Sequence, residues 1–220
     1  MATERAPARA QVARVAVPLS ISAAMFGISF GLLARTAGLG SVPPIVMSAI
    51  VFAGSAQFAA TSIVRDGGSV AAAVLAALML NLRYAPIGLT VARILPGGRL
   101  RRLLTAQLVI DESWAAANRG EGRFDRRVLL GVGASMWAMW VAGTAVGVLG
   151  GKALGHPESL GLDAAFPALF VALVAPQLRT RRSIVAAALG ATIALALTPF
   201  TPAGIPIVAA ASACLIGLRR

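Results

Sequence analysis

The residues of this chain that could do chemistry are few, and they interrupt sequence that is otherwise apolar. Gln57, Asn81 and Arg83 lie among alanines, valines and leucines, and Asp111 and Glu112 do so further along. Such residues are costly at membrane depth and usually face a bundle interior or a cavity. Two adjacent carboxylates in an apolar segment are candidates for binding an ammonium group or for carrying a proton. The pattern therefore predicts a polar site inside a membrane protein.

The composition indicates a polytopic α-helical membrane protein. The chain has 220 residues, 58% hydrophobic and 13% charged, with a mean hydropathy of +0.81, and its charges cluster between long apolar runs. Backbone exposed to lipid must satisfy its own hydrogen bonds, which favours helices, and the sequence lacks the alternating segments of a membrane barrel. We predict a cytoplasmic tail over residues 1–14 and a single transmembrane domain over 15–220.

The distribution of arginines favours one topology. Apolar segments fall at residues 15–34, 42–64, 69–95, 103–118, 128–150, 160–178, 183–199 and 203–218. If all eight cross, thirteen basic residues are cytoplasmic and six lie outside; if segments two and four enter and leave on the same side, the split is sixteen to three. Because basic residues concentrate in cytoplasmic loops, we predict six full spans, two re-entrant or broken helices and cytoplasmic termini. Eight full spans is the alternative.

Two broken helices entering from opposite faces are the usual construction of a transporter's midplane site. The first would enter from outside and break at Gly54-Ser55-Ala56-Gln57, where exposed backbone amides could bind an anion. Gly54, Ser55 and Gln57 are therefore candidate substrate-binding residues. The second would enter from the cytoplasm around Gln107 to Trp114.

Arg83 is the deepest charge in the sequence. It lies about ten residues from Arg93 and thirteen from Val70, roughly 15 Å from either end of its segment. A binding role and a structural arginine paired with a buried carboxylate or carbonyl both fit. Asn81 is two positions away and so points to nearly the opposite side of a regular helix. Both residues remain candidates, and they share one pocket only if the helix is irregular there.

The fourth segment predicts a polar helix face. Gln107, Asp111 and Trp114 follow i, i+4, i+7 spacing, and Glu112 is rotated by about 100° from Asp111. Asp111, Glu112 and Trp114 are candidate substrate-binding residues. The alternative is an amphipathic helix at the cytoplasmic interface, with its acids in water near Arg99–Arg102.

The other conspicuous residues look structural. Small glycine pairs let helices approach closely, and the sequence has two such pairs: Gly27 with Gly31, and Gly143 with Gly147. Trp137 and Trp140 share a helix face, which predicts packing or interfacial anchoring. Asp163 is predicted to favour the first turn of its helix, and the solitary His156 is predicted to lie on a solvated loop.

The sequence gives little support to other function classes. It contains no phosphate-binding glycine loop, nucleophile elbow or metalloprotease helix, and no nucleophile–base pair. A single histidine and a single cysteine predict no metal site. No aromatic-studded basic patch indicates nucleic acid. We therefore expect a protein that is not an enzyme and that has no cofactor, no metal and no nucleic-acid partner.

Several motifs together resemble the AzlC family, the large subunits of bacterial branched-chain amino acid exporters. In chain order they are Gly27-x-x-x-Gly31, the FAGSAQF run at 52–58, Asn81-Leu-Arg83, the DESW run at 111–114 and the LDAAFPALF run at 162–170. The resemblance covers about residues 15–218. This chain departs from the family pattern at Tyr84, where histidine is expected, and at Trp114, where phenylalanine or tyrosine is expected.

The resemblance implies export of hydrophobic amino acids such as valine, leucine or isoleucine across the inner membrane, together with a small hydrophobic partner subunit similar to AzlD. On this reading Arg83 or the amides near Gly54–Gln57 would hold the substrate carboxylate, and Asp111 or Glu112 the ammonium. The absence of an ATP-binding motif favours an ion gradient, protons being the expected choice. A membrane scaffold or assembly subunit and a small-solute channel are the alternatives.

Overall fold

Every regular element in the described part of the chain is a helix. The computed structural model describes residues 8–151, 171, 175, 178–201 and 205–213. The helices there are α1 (Ala8–Thr36), α2 (Val42–Ile50), α3 (Gly54–Arg65), α4 (Val70–Asn81), α5 (Tyr84–Val91), α6 (Arg99–Ala106), α7 (Asp111–Ala117), α8 (Arg126–Gly150), α9 (Arg181–Leu197) and α10 (Ile205–Ala210). The prediction of an all-α protein is confirmed.

Two of these helices are long and apolar enough to cross a membrane. They contain Val12–Thr36 and Arg126–Gly150, and the interrupted pair α4–α5 makes a third span if it counts as one. These lie in the predicted segments 15–34, 128–150 and 69–95. Segments 42–64 and 103–118 are each divided into two short helices, while segment 160–178 lies largely outside the described residues.

α1 and α8 pack through the predicted glycine pairs. A Cβ atom built on Gly27 or Gly31 would lie under 3.0 Å from the carbonyl oxygen of Trp140 or Thr144, and Gly143 and Gly147 face α1 backbone as closely. The contacts advance together along both helices, so α1 and α8 run parallel. The packing role predicted for these glycines is confirmed.

α2 attaches to α8 through polar side chains. The Ser48 and Thr144 hydroxyls lie 2.8 Å apart, and the Trp140 indole donates to Ser48 over 3.1 Å. The Trp137 indole donates to the carbonyl of Ala49 over 2.9 Å. As the chain advances along α2 its partners move back along α8, so the helices are antiparallel. The packing role predicted for the two tryptophans is confirmed.

Asp125 caps the N-terminus of α8 and ties α7 to it. Its side chain accepts from the amides of Arg127 and Val128 and from the Arg119 guanidinium at 3.0 Å. Desolvation raises the pKa of this carboxyl, but these hydrogen bonds and the arginine charge outweigh it and lower the pKa below its ordinary value. The Asp125 amide donates to the carbonyl of Ala117. The last turn of α7 therefore lies beside the first turn of α8.

Contacts divide the chain into two compact units. The first comprises Met1–Arg35, Leu39–Gly54 and Asn81–Ala153, and the second comprises the remainder. In the second unit, α3 and α4 pack through Ile63, Ala73 and Ala76. α9 is capped by Thr180 and packs against α10. The Arg83–Asp111 region described next lies within the first unit.

Candidate functional site

Three helix breaks interrupt the predicted membrane segments. They lie at residues 51–53 between α2 and α3, 82–83 between α4 and α5, and 107–110 between α6 and α7. Phe52 turns the first with φ +41°, in the left-handed region. A bulky residue rarely adopts that conformation, which costs about 1–3 kcal/mol and persists where surrounding structure imposes it.

The first break differs from its predicted position. We predicted it at Gly54–Gln57, but these residues form the first turn of α3 and the break precedes them. Gly54 is needed for packing, because a Cβ there would come 3.0 Å from the ring of Trp140. Anion binding by the amides of this turn stays a prediction.

The third break is tied to the last turn of α2, just before the first break. The side-chain amide of Gln107 donates to the carbonyl of Ala49, the acceptor that Trp137 also uses. Leu108 packs where a Cβ on Gly133 would lie. Gly133 and Trp137 are seven and eleven residues into α8, or about 10–17 Å along it at 1.5 Å per residue. The break therefore lies near mid-height of this candidate span.

An ion pair joins the second break to the third. The Arg83 guanidinium lies 3.1 Å from a carboxylate oxygen of Asp111, and both side chains keep over a third of their surface exposed (38% and 39%). The Tyr84 hydroxyl lies 3.4 Å from the guanidinium, whose carbon sits 5.1 Å from the ring centroid. A cation and an anion thus meet where two interrupted helices come together.

Two arguments from helical phase do not hold in the structure. Asn81 ends α4 and Arg83 lies in the break, so the opposite directions predicted for a regular helix do not apply. Gln107 likewise precedes the third break, whereas Asp111 and Trp114 share α7. The predicted face of Gln107, Asp111 and Trp114 is therefore wrong as a continuous helical face, because the chain leaves the helical conformation at 107–110.

The fourth segment consists of two helices of different character. α6 is amphipathic and has no buried residue, with Leu100, Leu103 and Leu104 exposed. α7 instead begins with the acidic pair Asp111 and Glu112 and packs on α8. Its start is fixed by the Ser113 hydroxyl, which accepts from the Ile110 amide over 3.0 Å.

α5 and α7 run side by side from the ion pair. Arg83 lies against Asp111, and further along the two helices the Trp114 indole donates to the Thr90 hydroxyl over 2.8 Å. Trp114 also packs on Phe124, with ring centroids 5.6 Å apart. Since α7 ends beside the first turn of α8, α5 heads toward that same end of α8.

The remaining candidates are less informative. Asn81 has a buried amide oxygen with no hydrogen-bond partner among the described residues. Ser55 and Gln57 belong to the second unit, where Gln57 is fully buried. Asp163 and His156 lie outside the described residues. Within the described ranges no group of His, Cys, Asp and Glu is arranged to hold a metal ion.

Comparison with known proteins assigns the chain to a family. The family described as "AzlC protein" matches residues 18–154 of the 220. The chain belongs to the AzlC family. No solved structure matches.

Three curated relatives show how far the AzlC likeness extends. The chain is 32% identical to an "Uncharacterized membrane protein" of Archaeoglobus fulgidus, covering 89% of this chain and 87% of the relative. It is 29% identical to "Inner membrane protein YgaZ" of Escherichia coli, covering 82% and 78%. It is 27% identical to "Branched-chain amino acid transport protein AzlC" of Bacillus subtilis, covering 73% and 64%.

Sequence reasoning misses two parts of the geometry of this AzlC chain. One is Thr90, the partner of Trp114; the other is the carbonyl of Ala49, which holds Gln107 and Trp137. A backbone carbonyl has no sequence signature. Ser48 in α2 and Thr144 in α8 were the available signals, since hydroxyls in apolar helices often bond across a helix interface.

Proposed function

We propose that this chain transports branched-chain or other hydrophobic amino acids across the bacterial cytoplasmic membrane, and that it exports them. The observation that carries the proposal is the Arg83–Asp111 ion pair at the meeting point of two helix breaks. Membership of the AzlC family and the printed name of the Bacillus subtilis relative support the substrate class.

A zwitterion would bind by replacing the ion pair. Its carboxylate would take the Arg83 guanidinium, which offers a planar fork of donors, and its ammonium would take the Asp111 carboxylate. The amide oxygen of Asn81 offers a further acceptor. In the 3.1 Å pair each charge has the other as partner, and the two charged groups of a zwitterion would take over these roles.

Segments two and four would be re-entrant. α2 has nine residues, and the Ala49 carbonyl near its end is bonded at the level of Trp137 on α8. α7 leads from the 107–110 break to the first turn of α8. These contacts support a path in which neither segment crosses and the arginine-rich 93–102 loop is cytoplasmic.

The proposed energy source rests on the same site, whereas the proposed partner rests on the family. Glu112 lies next to Asp111 at the start of α7, where one carboxylate could hold the ammonium while the other carries a proton. We propose proton coupling on that basis. A small hydrophobic subunit similar to AzlD completes the permease, as the family resemblance implies.

Transport can be measured directly. Inverted membrane vesicles containing the protein, with and without the partner subunit, should accumulate radiolabelled leucine when the interior is acidified, and a protonophore should abolish accumulation. Vesicles lacking the protein are the control. Leucine entry that is non-saturable and indifferent to the proton gradient would favour a channel, and no entry at all under either condition would favour a scaffold.

The topology makes a separate prediction. In a Cys214→Ala background, Gly98→Cys should resist a membrane-impermeant thiol reagent in intact cells and react in inverted vesicles. A Cβ at Gly98 meets nothing within 4 Å, so the change should not disturb folding. Asp66→Cys, on the opposite side in the proposed arrangement, should react in intact cells. Labelling of Gly98→Cys from outside would contradict the re-entrant arrangement.

A further inference from the structure

An open groove runs along the N-terminal halves of α1 and α8. It encloses about 920 Å³ and is lined by Val12, Ala13, Ala16, Val17 and Ser20 of α1 and by Arg127, Ser135, Ala138 and Met139 of α8. Val17 and Met139 keep 56% and 39% of their surface exposed. The lining is therefore mostly apolar, and two of its apolar side chains keep much of their surface exposed.

The groove is one leaflet deep. From Arg127 to Met139 the lining advances twelve residues along α8, or about 18 Å at 1.5 Å per residue. The hydrocarbon core of a bilayer is about 30 Å thick, so one leaflet contributes about 15 Å. Both helices are candidate spans, and the groove begins where both begin, at the level of lipid headgroups.

Positive charge gathers at that end. Arg127 lines the groove, and Arg14 and Arg126 lie exposed on the first turns of the two spans. No acidic side chain lines it among the described residues. Basic pockets between membrane helices on the cytoplasmic side bind anionic lipid headgroups. Charge and length together match a molecule that is anionic at one end and apolar for the depth of a leaflet.

We propose that this groove is a binding site for one anionic phospholipid of the cytoplasmic leaflet. Its phosphate lies against Arg127, and an acyl chain follows the small and apolar residues toward Ser20 and Met139. A partner's spanning helix would need a seam through the whole bilayer, whereas this groove ends at half depth. A soluble anion would use the arginine but leave the apolar lining exposed.

Lipid binding to the purified protein tests the proposal. In neutral detergent, phosphatidylglycerol should raise the melting temperature of the protein, and phosphatidylcholine should do so only at higher concentration. Arg127→Gln should weaken the phosphatidylglycerol effect about fivefold, the effect expected of one arginine at an anionic surface. Ala138→Phe, which fills the groove without changing charge, should weaken both lipids. Arg126→Gln is the matched control, because it removes a neighbouring charge that does not line the groove.

Several outcomes would overturn it. One is that Arg127→Gln and the wild type bind phosphatidylglycerol with equal affinity. Another is that the wild type binds phosphatidylglycerol and phosphatidylcholine with equal affinity. A third is that glycerol phosphate, which has no acyl chain, stabilises the protein as much as phosphatidylglycerol does. Cross-linking of Val17→Cys in a Cys214→Ala background to a second copy or to another protein would assign the groove to a helix instead. These tests do not depend on transport, so they fail or succeed separately from the proposed function.

Discussion

Replacing Arg83 by alanine should lower leucine transport at limiting substrate by roughly a hundredfold, the equivalent of about 3 kcal/mol for losing one charged partner of a bound carboxylate. Arg83→Lys should recover part of the loss, since it keeps the charge but not the planar fork. Asp111→Asn should act similarly through the ammonium. Because the two side chains are 38% and 39% exposed, neither variant leaves a fully buried charge without its partner, and both should insert. Initial rates in inverted vesicles, normalised to inserted protein, measure the effect.

The control is another arginine in an ion pair. Arg65 lies 2.9 Å from Asp66 on the α3–α4 loop, and Arg65→Ala should transport normally. Exchanging the charges, with Arg83→Asp and Asp111→Arg together, separates a binding site from a structural pair. If the pair only holds the helices together, the exchanged double variant should transport leucine. If the pair binds a zwitterion in one orientation, the double variant should not. Wild-type rates in both Arg83→Ala and Asp111→Asn would overturn the assignment.

The second large effect concerns the glycines between α1 and α8. Gly147→Leu should destabilise the protein by about 3 kcal/mol and lower its melting temperature by roughly 6–12 °C. The reason is that a Cβ at Gly147 would lie under 3.0 Å from the backbone of Ile28, which cannot move aside as a side chain can. Gly31→Leu should have a similar effect against Thr144. Thermal unfolding in detergent, followed by fluorescence-detected size exclusion, gives the measurement.

Gly150 supplies the matched control on the same helix. A Cβ there meets nothing within 4 Å, so Gly150→Leu should unfold near the wild-type temperature. If Gly147→Leu and Gly150→Leu unfolded at the same temperature, the result would contradict the close packing of α1 against α8. Shortening a side chain of α1 opposite Gly147→Leu should not restore the stability, because the atoms that approach Gly147 belong to the backbone of α1.

The sequence predicts the helical class correctly, and it makes the candidate charges easy to identify. Arginines and carboxylates in apolar segments are conspicuous because their desolvation is costly. Arg83 and Asp111 were therefore both found, although their pairing required contacts between residues 28 positions apart in sequence. Glycine pairs in candidate spans were equally visible, since few other roles favour that spacing.

The helix breaks were harder to predict. Leu82-Arg83 and the Gln107-to-Ile110 stretch contain neither glycine nor proline, so no local signal ends a helix there. Contacts distant from any helix-breaking residue hold the third break instead: the carbonyl of Ala49 accepts from the side-chain amide of Gln107, and the Ser113 hydroxyl accepts from the backbone amide of Ile110. At the first break the glycine led to a wrong predicted position. Gly54 makes room for the ring of Trp140, whereas Phe52 adopts the left-handed backbone conformation at the break.

The parallel packing of α1 and α8 determines whether the chain between them crosses the membrane an odd or an even number of times. Two spans that cross the bilayer in the same direction must be joined by a chain that crosses an odd number of times. If α1 and α8, which are both long and apolar enough to cross, are two such spans, residues 37–125 cross once or three times and never twice. A single segment between them cannot change from re-entrant to spanning alone. Any structural transition that pushed the α2–α3 segment through the membrane would have to move a second segment with it.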